Sequence, residues 1–152
     1  MYANPESVTR VSSLGAGPIG GGWTAHFLAR GYDVTAYLHD ESERDAFLSI
    51  INTAWVSLID LGLSPGASMD RLSIVTNLEE ALEGAEFVQE SGPERLEIKQ
   101  ALYAQIGSIL PPSVVIGSST SGLMMSDIQA DCTTPERTVI GHPFNPPYLL
   151  PL

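Results

Sequence analysis

Apolar residues along this chain change their spacing repeatedly, from short unbroken runs to helical periods and back. Val11 to Leu14 is a short apolar-rich run and predicts a strand. Ile19, Trp23, Phe27 and Leu28 then recur at helical spacing, predicting a helix from Pro18 to Arg30 that Gly31 ends. Val34 to Leu38 predicts a second strand. Asp40 is placed to cap a long helix from Glu41 to Leu61, with Phe47, Ile50, Ile51, Ala54, Trp55 and Leu58 on one stripe. After the turn-rich loop GLSPGAS, Leu72 to Val75 predicts a third strand, and Asn77 with Glu80 opens a short helix that Gly84 ends. Ala85 to Gln89 predicts a fourth strand, and Pro93 opens a helix running to Ser108. Val114 to Gly117, Met125 to Gln129 and Thr138 to Gly141 predict strand, short helix and strand.

Strands alternating with helices predict a doubly wound α/β fold with a mostly parallel sheet, right-handed crossovers and a long helical excursion after the second strand. The strands are apolar throughout rather than alternating, which suits a sheet covered on both faces. The 152 residues are enough for one domain with a sizeable core.

Charge narrows the ligand classes. The net charge is −11 and Lys99 is the only lysine, so the surface repels a nucleic-acid backbone. A ligand rich in phosphate must then be held by backbone N–H groups. No apolar run reaches the length of a membrane span, and MYANPESVTR lacks the pattern of an export signal. Cys132 is the only cysteine and has no metal-ligand spacing around it, so we expect no metal and a reducing cytoplasm. Glu79, Glu80, Glu83 and Glu86 read as a solvated acidic face.

Five glycines fall between positions 15 and 22. Gly15, Gly17 and Gly20 match G-x-G-x-x-G, with a strand before and a helix after. In that setting the first glycine makes the turn, the second admits a pyrophosphate and the third lets helix and strand pack closely. Gly15, Ala16, Gly17, Pro18, Ile19 and Gly20 are therefore the expected cofactor loop of a Rossmann-type domain spanning residues 1–152. The motif expects an acid about 20 positions on for the adenosine ribose, and Asp40 fits the count. A helix cap is the equally weighted reading of Asp40. No arginine adjoins it to welcome a 2′-phosphate, which favours NAD over NADP.

Two further segments, GSSTSGL from 117 and GHPFNPPYLLPL from 141, each follow a strand. In one parallel sheet both emerge at its carboxyl edge, where ligands bind. Ser121 can then hydrogen-bond a substrate oxygen, and His142 can take an alcohol proton as hydride leaves. A hydrolase reading of Ser121 fails because G-x-S-x-G is absent. His26 and His39 have no metal partner in the pattern.

The loop GAGPIG, the segment QESGPERLEIK, SSTSGL and above all GHPFNP resemble the N-terminal domain of the 3-hydroxyacyl-CoA dehydrogenase family, from about Val11 to Leu152. The resemblance implies NAD as cofactor and oxidation of an L-3-hydroxy acid at C3 to the ketone. It implies His142 as the base, Ser121 as a contact to substrate and cofactor, Glu94 and Lys99 as residues lining the site, and Asn145 near the nicotinamide. Aligned without a gap, the family's ribose-binding position falls on Leu38. The wording lies nearest the family's carnitine-oxidising branch, with the gulonate and CoA-ester branches as alternatives. Trp55 and Tyr148 are conceivable aromatic faces for a trimethylammonium group, although Trp55 lies on the apolar stripe of its helix. The family includes a crystallin, so a non-catalytic, structural binder is a further alternative. The resemblance also implies a glutamate shortly beyond Leu152 that orients the histidine, a helical C-terminal domain and a homodimer. This chain alone is expected to turn over little.

Overall fold

The computed structural model describes residues 4–150. The ends of the two segments MYANPESVTR and GHPFNPPYLLPL, at positions 1–3 and 151–152, lie outside the described residues. Six strands form one sheet in the order β3-β2-β1-β4-β5-β6, every neighbouring pair parallel. They are β1 (Arg10–Leu14), β2 (Asp33–Tyr37), β3 (Leu72–Val75), β4 (Phe87–Glu90), β5 (Val115–Ser118) and β6 (Thr138–Ile140). The strand order reverses between β1 and β4, so a crevice opens there beyond the carboxyl ends of the strands. The expected doubly wound α/β architecture is the one observed.

Helices α1 (Pro18–Ala29) and α2 (Arg44–Leu61) cover one face; α3 (Leu78–Leu82) and α4 (Leu96–Ile109) cover the other, joined by the short α5 (Met125–Ile128). Each face has its own core. Ala25, Leu28, Val34, Ala36, Leu38, Phe47, Ile51, Ala54 and Leu58 make the first. Leu14, Leu82, Val88, Tyr103, Ile106, Ile116 and Ile128 make the second. Trp55 and Tyr148 are half-buried against the first core, so the packing reading holds for Trp55. Asn77 caps α3 through a bond from the Glu80 amide at 2.9 Å, as its spacing predicts.

Most boundaries shift by a residue or two from the sequence reading, and three differences bear on the site. The helix expected from Pro93 begins at Leu96, because Pro93 to Arg95 close a tight turn, with the Arg95 amide on the Pro93 carbonyl at 2.8 Å. The long helix starts as a 3-10 turn over Glu41–Glu43 before α2 proper. β4 runs one residue further than expected, to Glu90. Glu86 is not simply solvated: its carboxylate accepts from the Thr9 and Arg10 amides at 2.6 and 3.0 Å and ties the start of β1 to β4. Among the described residues no helix is long and apolar enough to cross a membrane, and no group of three or more His, Cys, Asp or Glu is placed to hold a metal.

Candidate active site at the carboxyl edge

β1 delivers the glycine loop to the centre of the sheet. Gly15 takes φ +120°, a conformation side chains resist, and its amide donates to the Tyr37 carbonyl at 3.1 Å. A Cβ at Gly15 would lie 2.5 Å from the Ser91 carbonyl oxygen, and one at Gly20 would lie 2.1 Å from the Gly15 oxygen. Those two positions exclude any other residue. Gly17 differs: its φ is an ordinary −74°, and a Cβ there would meet nothing within 4 Å. The outer side of the loop is therefore open at Gly17, beside the start of α1. Gly17 is the N-cap of that helix, Pro18 follows it, and no side chain caps it. The first-turn amides of Ile19 and Gly20 lack a carbonyl four residues back within the helix. Open space, free amides and the positive helix end fit a diphosphate.

Asp40 follows the end of β2. Its side chain accepts from the Ser42 amide at 2.9 Å, and Glu43 closes a capping box by accepting from the Asp40 amide at 3.2 Å. The cap reading is the one seen in the geometry. The Ser42 hydrogen bonds hold the exposed Asp40 carboxyl below its ordinary value. Leu38 is 0% exposed, and its side chain belongs to the α1–α2 core, so that position presents no polar group to a ribose.

β4 and β5 end side by side, and their loops are bolted together. The Ser91 hydroxyl lies 2.8 Å from that of Ser119, which also accepts from the Gln89 amide group at 2.9 Å. Glu94 reaches across: one carboxylate oxygen accepts from the Thr120 hydroxyl at 2.6 Å and from the Ser121 and Gly122 amides at 3.0 Å each. Burial pushes the Glu94 carboxyl up, but these donors with Lys99 outweigh it and hold it below its ordinary value. Ser121 is exposed at the rim. Lys99 is 1% exposed; its ammonium donates to Glu90 at 2.6 Å and lies 3.8 Å from the second Glu94 oxygen.

β6 brings the last segment to the same edge. The Gly141 amide donates to the Ser118 carbonyl at 2.9 Å, and His142 follows. Nδ1 of His142 lies 3.3 Å from the Ser119 carbonyl oxygen. A carbonyl only accepts, so this contact selects the tautomer with the proton on Nδ1 and leaves Nε2 an acceptor. His142 and Asn145 are exposed, and Phe144 is 72% exposed. Beyond them the chain returns over α1. Pro147 presses on Gly22, where a Cβ would sit 2.8 Å from the proline ring, and Tyr148 packs on the core beneath.

The fold thus brings Gly15 to Gly20, Glu94, Ser121, His142 and Asn145 to one edge of the sheet. The sequence reading missed Glu90, Ser118 and Thr120, which are buried under the rim. One signal could have found Glu90. Lys99 falls on the apolar stripe of its helix with Tyr103 and Ile106, and a lysine there needs a buried acid.

Residues 10–152 match the family model described as the 3-hydroxyacyl-CoA dehydrogenase NAD binding domain. The chain is 53% identical over 149 residues to an L-carnitine dehydrogenase of Streptomyces coelicolor, covering 98% of this chain and 47% of that one. It is 49% identical over 141 residues to an L-carnitine dehydrogenase of Pseudomonas putida, covering 93% and 44%. The chain therefore spans about half the length of the curated relatives it matches. Among solved structures it resembles FHMPC 5-dehydrogenase, described as an NAD+-dependent dismutase, with TM-score 0.84, 31% identity and coverage of 93% and 46%. It also resembles 3-hydroxybutyryl-CoA dehydrogenase from Escherichia coli K12, with TM-score 0.82, 30% identity and coverage of 92% and 30%. With the open glycine loop, the parallel sheet and this match along nearly its whole length, the chain belongs to the 3-hydroxyacyl-CoA dehydrogenase family as an NAD-binding domain.

Proposed function

We propose that this chain is the cofactor-binding part of an oxidoreductase that oxidises a small L-3-hydroxy acid, carnitine or a close analogue, at C3 to the 3-keto product. The observation that carries this reading is the convergence of the glycine loop, the Glu94-clamped Ser121 loop and His142 on one sheet edge. The first-turn amides of α1 hold the diphosphate, and the opening at Gly17 lets it approach the backbone. NAD, when bound, accepts the hydride. Ser121 orients the substrate hydroxyl and His142 takes its proton at Nε2, while the Ser119 carbonyl steadies the ring through Nδ1. Glu94 acts at the nicotinamide side by fixing the Ser121 loop, and Asn145 lies on the same side. Asp40 serves the adenosine ribose only in competition with its capping role. The absence of lysine from the 41–70 excursion argues against a CoA ester as substrate.

In this reading residues 1–152 act as one domain, a helical domain of the kind the family carries closes the substrate site, and the assembled enzyme is a cytoplasmic homodimer. Calorimetric titration tests the first step: NAD binds this chain, and NADP binds more weakly. Formation of NADH with L-carnitine tests the second, comparing this chain with a form extended to the length of its relatives. Activity confined to the extended form supports the reading. No NAD binding, or full activity in the 152-residue chain, contradicts it.

A further inference from the structure

Beneath the rim lies a buried charged pair, Glu90 and Lys99, to which the proposed function assigns no role. Glu90, the last residue of β4, is 0% exposed. One of its carboxylate oxygens accepts from the Lys99 ammonium and from the Gly92 amide, both at 2.6 Å; the other accepts from the Ser118 hydroxyl at 2.6 Å. Both arms lead to the same place. Ser118 Oγ in turn accepts from the Thr120 amide at 3.3 Å. Lys99 Nζ lies 3.8 Å from the second oxygen of Glu94, whose first oxygen holds Thr120, Ser121 and Gly122.

We infer that Glu90 is a positioning residue: its buried carboxylate holds the Lys99 ammonium in place, and Lys99 turns Glu94 so that one oxygen faces the Ser121 loop. Lys99 and Glu90 are buried together, the ammonium donating to the carboxylate at 2.6 Å, which is the partner a buried cation needs. The same ammonium faces one Glu94 oxygen at 3.8 Å, while the other Glu94 oxygen accepts from three donors of the loop at once. The Tyr103 phenol beside this cluster is pushed well above its ordinary value, first by burial and then by the Glu90 charge, so it adds no second negative charge there. A buried ion pair is by itself weak evidence for stability, since an apolar pair often serves as well. Here both ends of the pair are spent on one loop, and that is the signature of positioning rather than of core filling.

The inference concerns the loop that the proposed function uses for substrate and cofactor, but its main readout needs neither. The test compares the chain with Glu90→Gln/Lys99→Met, which removes both charges and keeps the volumes. Amide exchange at Ser121 and Gly122 is expected to quicken about tenfold while the strands keep their protection. Adding Glu94→Gln to each background completes a cycle on NAD affinity. Glu94→Gln weakens NAD in the wild-type chain and has little further effect in the double variant. Unchanged exchange at Ser121 and Gly122, or equal effects of Glu94→Gln in both backgrounds, overturns the inference. Should the double variant fail to fold, Ser118→Ala cuts the second arm; faster exchange at Thr120 and Ser121 is then expected, and no change refutes. A wild-type chain that binds no NAD sinks the functional reading, while the exchange data still decide this one.

Discussion

Replacing Gly17 with alanine separates the fold from the site. The backbone at Gly17 has φ −74° and ψ 179°, which any residue adopts, and the added methyl meets no protein atom within 4 Å. Two small terms then set the stability. Fixing an alanine costs less chain entropy than fixing a glycine, worth about 0.4–1 kcal/mol in favour of the variant. Alanine is also a poorer N-cap than glycine, worth roughly 0.5–1 kcal/mol against it. They nearly cancel, so Tm should move by no more than about 4 °C. Binding is another matter. The methyl occupies the opening through which a diphosphate reaches the first-turn amides, and losing one or two charge-assisted hydrogen bonds costs about 1.5–3 kcal/mol, or ten- to a hundredfold in Kd. Differential scanning fluorimetry reads the first quantity and isothermal titration with NAD the second. Gly20→Ala is the contrast, because its methyl would fall 2.1 Å from the Gly15 oxygen; about 3 kcal/mol or more of stability should be lost. If Gly17→Ala binds NAD as tightly as the parent, the diphosphate does not lie over this loop and the site assignment fails.

Other outcomes follow from the same geometry. Arg137, 2% exposed, donates to the Leu110, Pro111 and Gly107 carbonyls at the end of α4, so Arg137→Ala should cost about 3 kcal/mol in chemical denaturation and Arg137→Lys should recover little of it. Burial, then the Arg30 charge, holds His26 below its ordinary value while the Tyr148 carbonyl partly opposes them. Its contribution to stability is therefore complete above the unfolded value of 6.5 and is lost as pH falls toward the folded one, which Trp23 fluorescence should register as loosening of the 143–150 segment. Glu94 adds a second loss at lower pH: its folded value is depressed, so its contribution is present above 4.5 and disappears as pH falls through the folded value, read as faster exchange at Gly122. In the extended enzyme His142→Gln should lower kcat by about a hundred- to ten-thousandfold with NAD affinity nearly unchanged; a parallel loss of NAD binding would assign His142 to the cofactor instead.

What was legible in the sequence depended on how local the cause was. Alternating strands and helices, the Asn77 cap and the stop at Gly31 are settled by a few adjacent residues, and each stands where its neighbours put it. Asp40 illustrates the limit. Counting from the glycines makes it a ribose ligand and counting toward the helix makes it a cap, and only the distance to Ser42 shows that the cap is formed. Lys99 shows a related limit. Its place at the site comes from the family resemblance alone, and its position on the apolar stripe of α4 turns it toward Glu90. That partner is nine residues away, across a turn whose shape no periodicity records. The start of α4 lies three residues beyond Pro93 because Pro93 to Arg95 close a turn, and Glu94 within that turn is drawn sideways to the Ser121 loop. Local helix preference there yields to three hydrogen bonds from another strand's end.

The glycine run shows how one stretch of sequence divides its duties. Gly15 and Gly20 are required by main chain: a Cβ on Gly15 would meet the Ser91 oxygen after β4, and one on Gly20 the oxygen of Gly15 in the loop itself. Gly21 and Gly22 serve neighbours: a Cβ on Gly21 would fall 2.6 Å from Ile50 of α2, and one on Gly22 would meet Pro147 of the returning segment. Successive helix positions face about 100° apart, so three adjacent glycines let β1, α2 and that segment approach α1 from different sides. Only Gly17 has no structural claimant. A position where the protein tolerates a side chain but carries none points outward, to something that is not protein. The same segment that leans on Gly22 begins five residues earlier with His142, so close packing on α1 also fixes how far the imidazole stands from the loop. Cofactor loop and candidate base are then two ends of one packing arrangement, and a bulkier residue at Gly22 should shift His142 without touching the diphosphate amides.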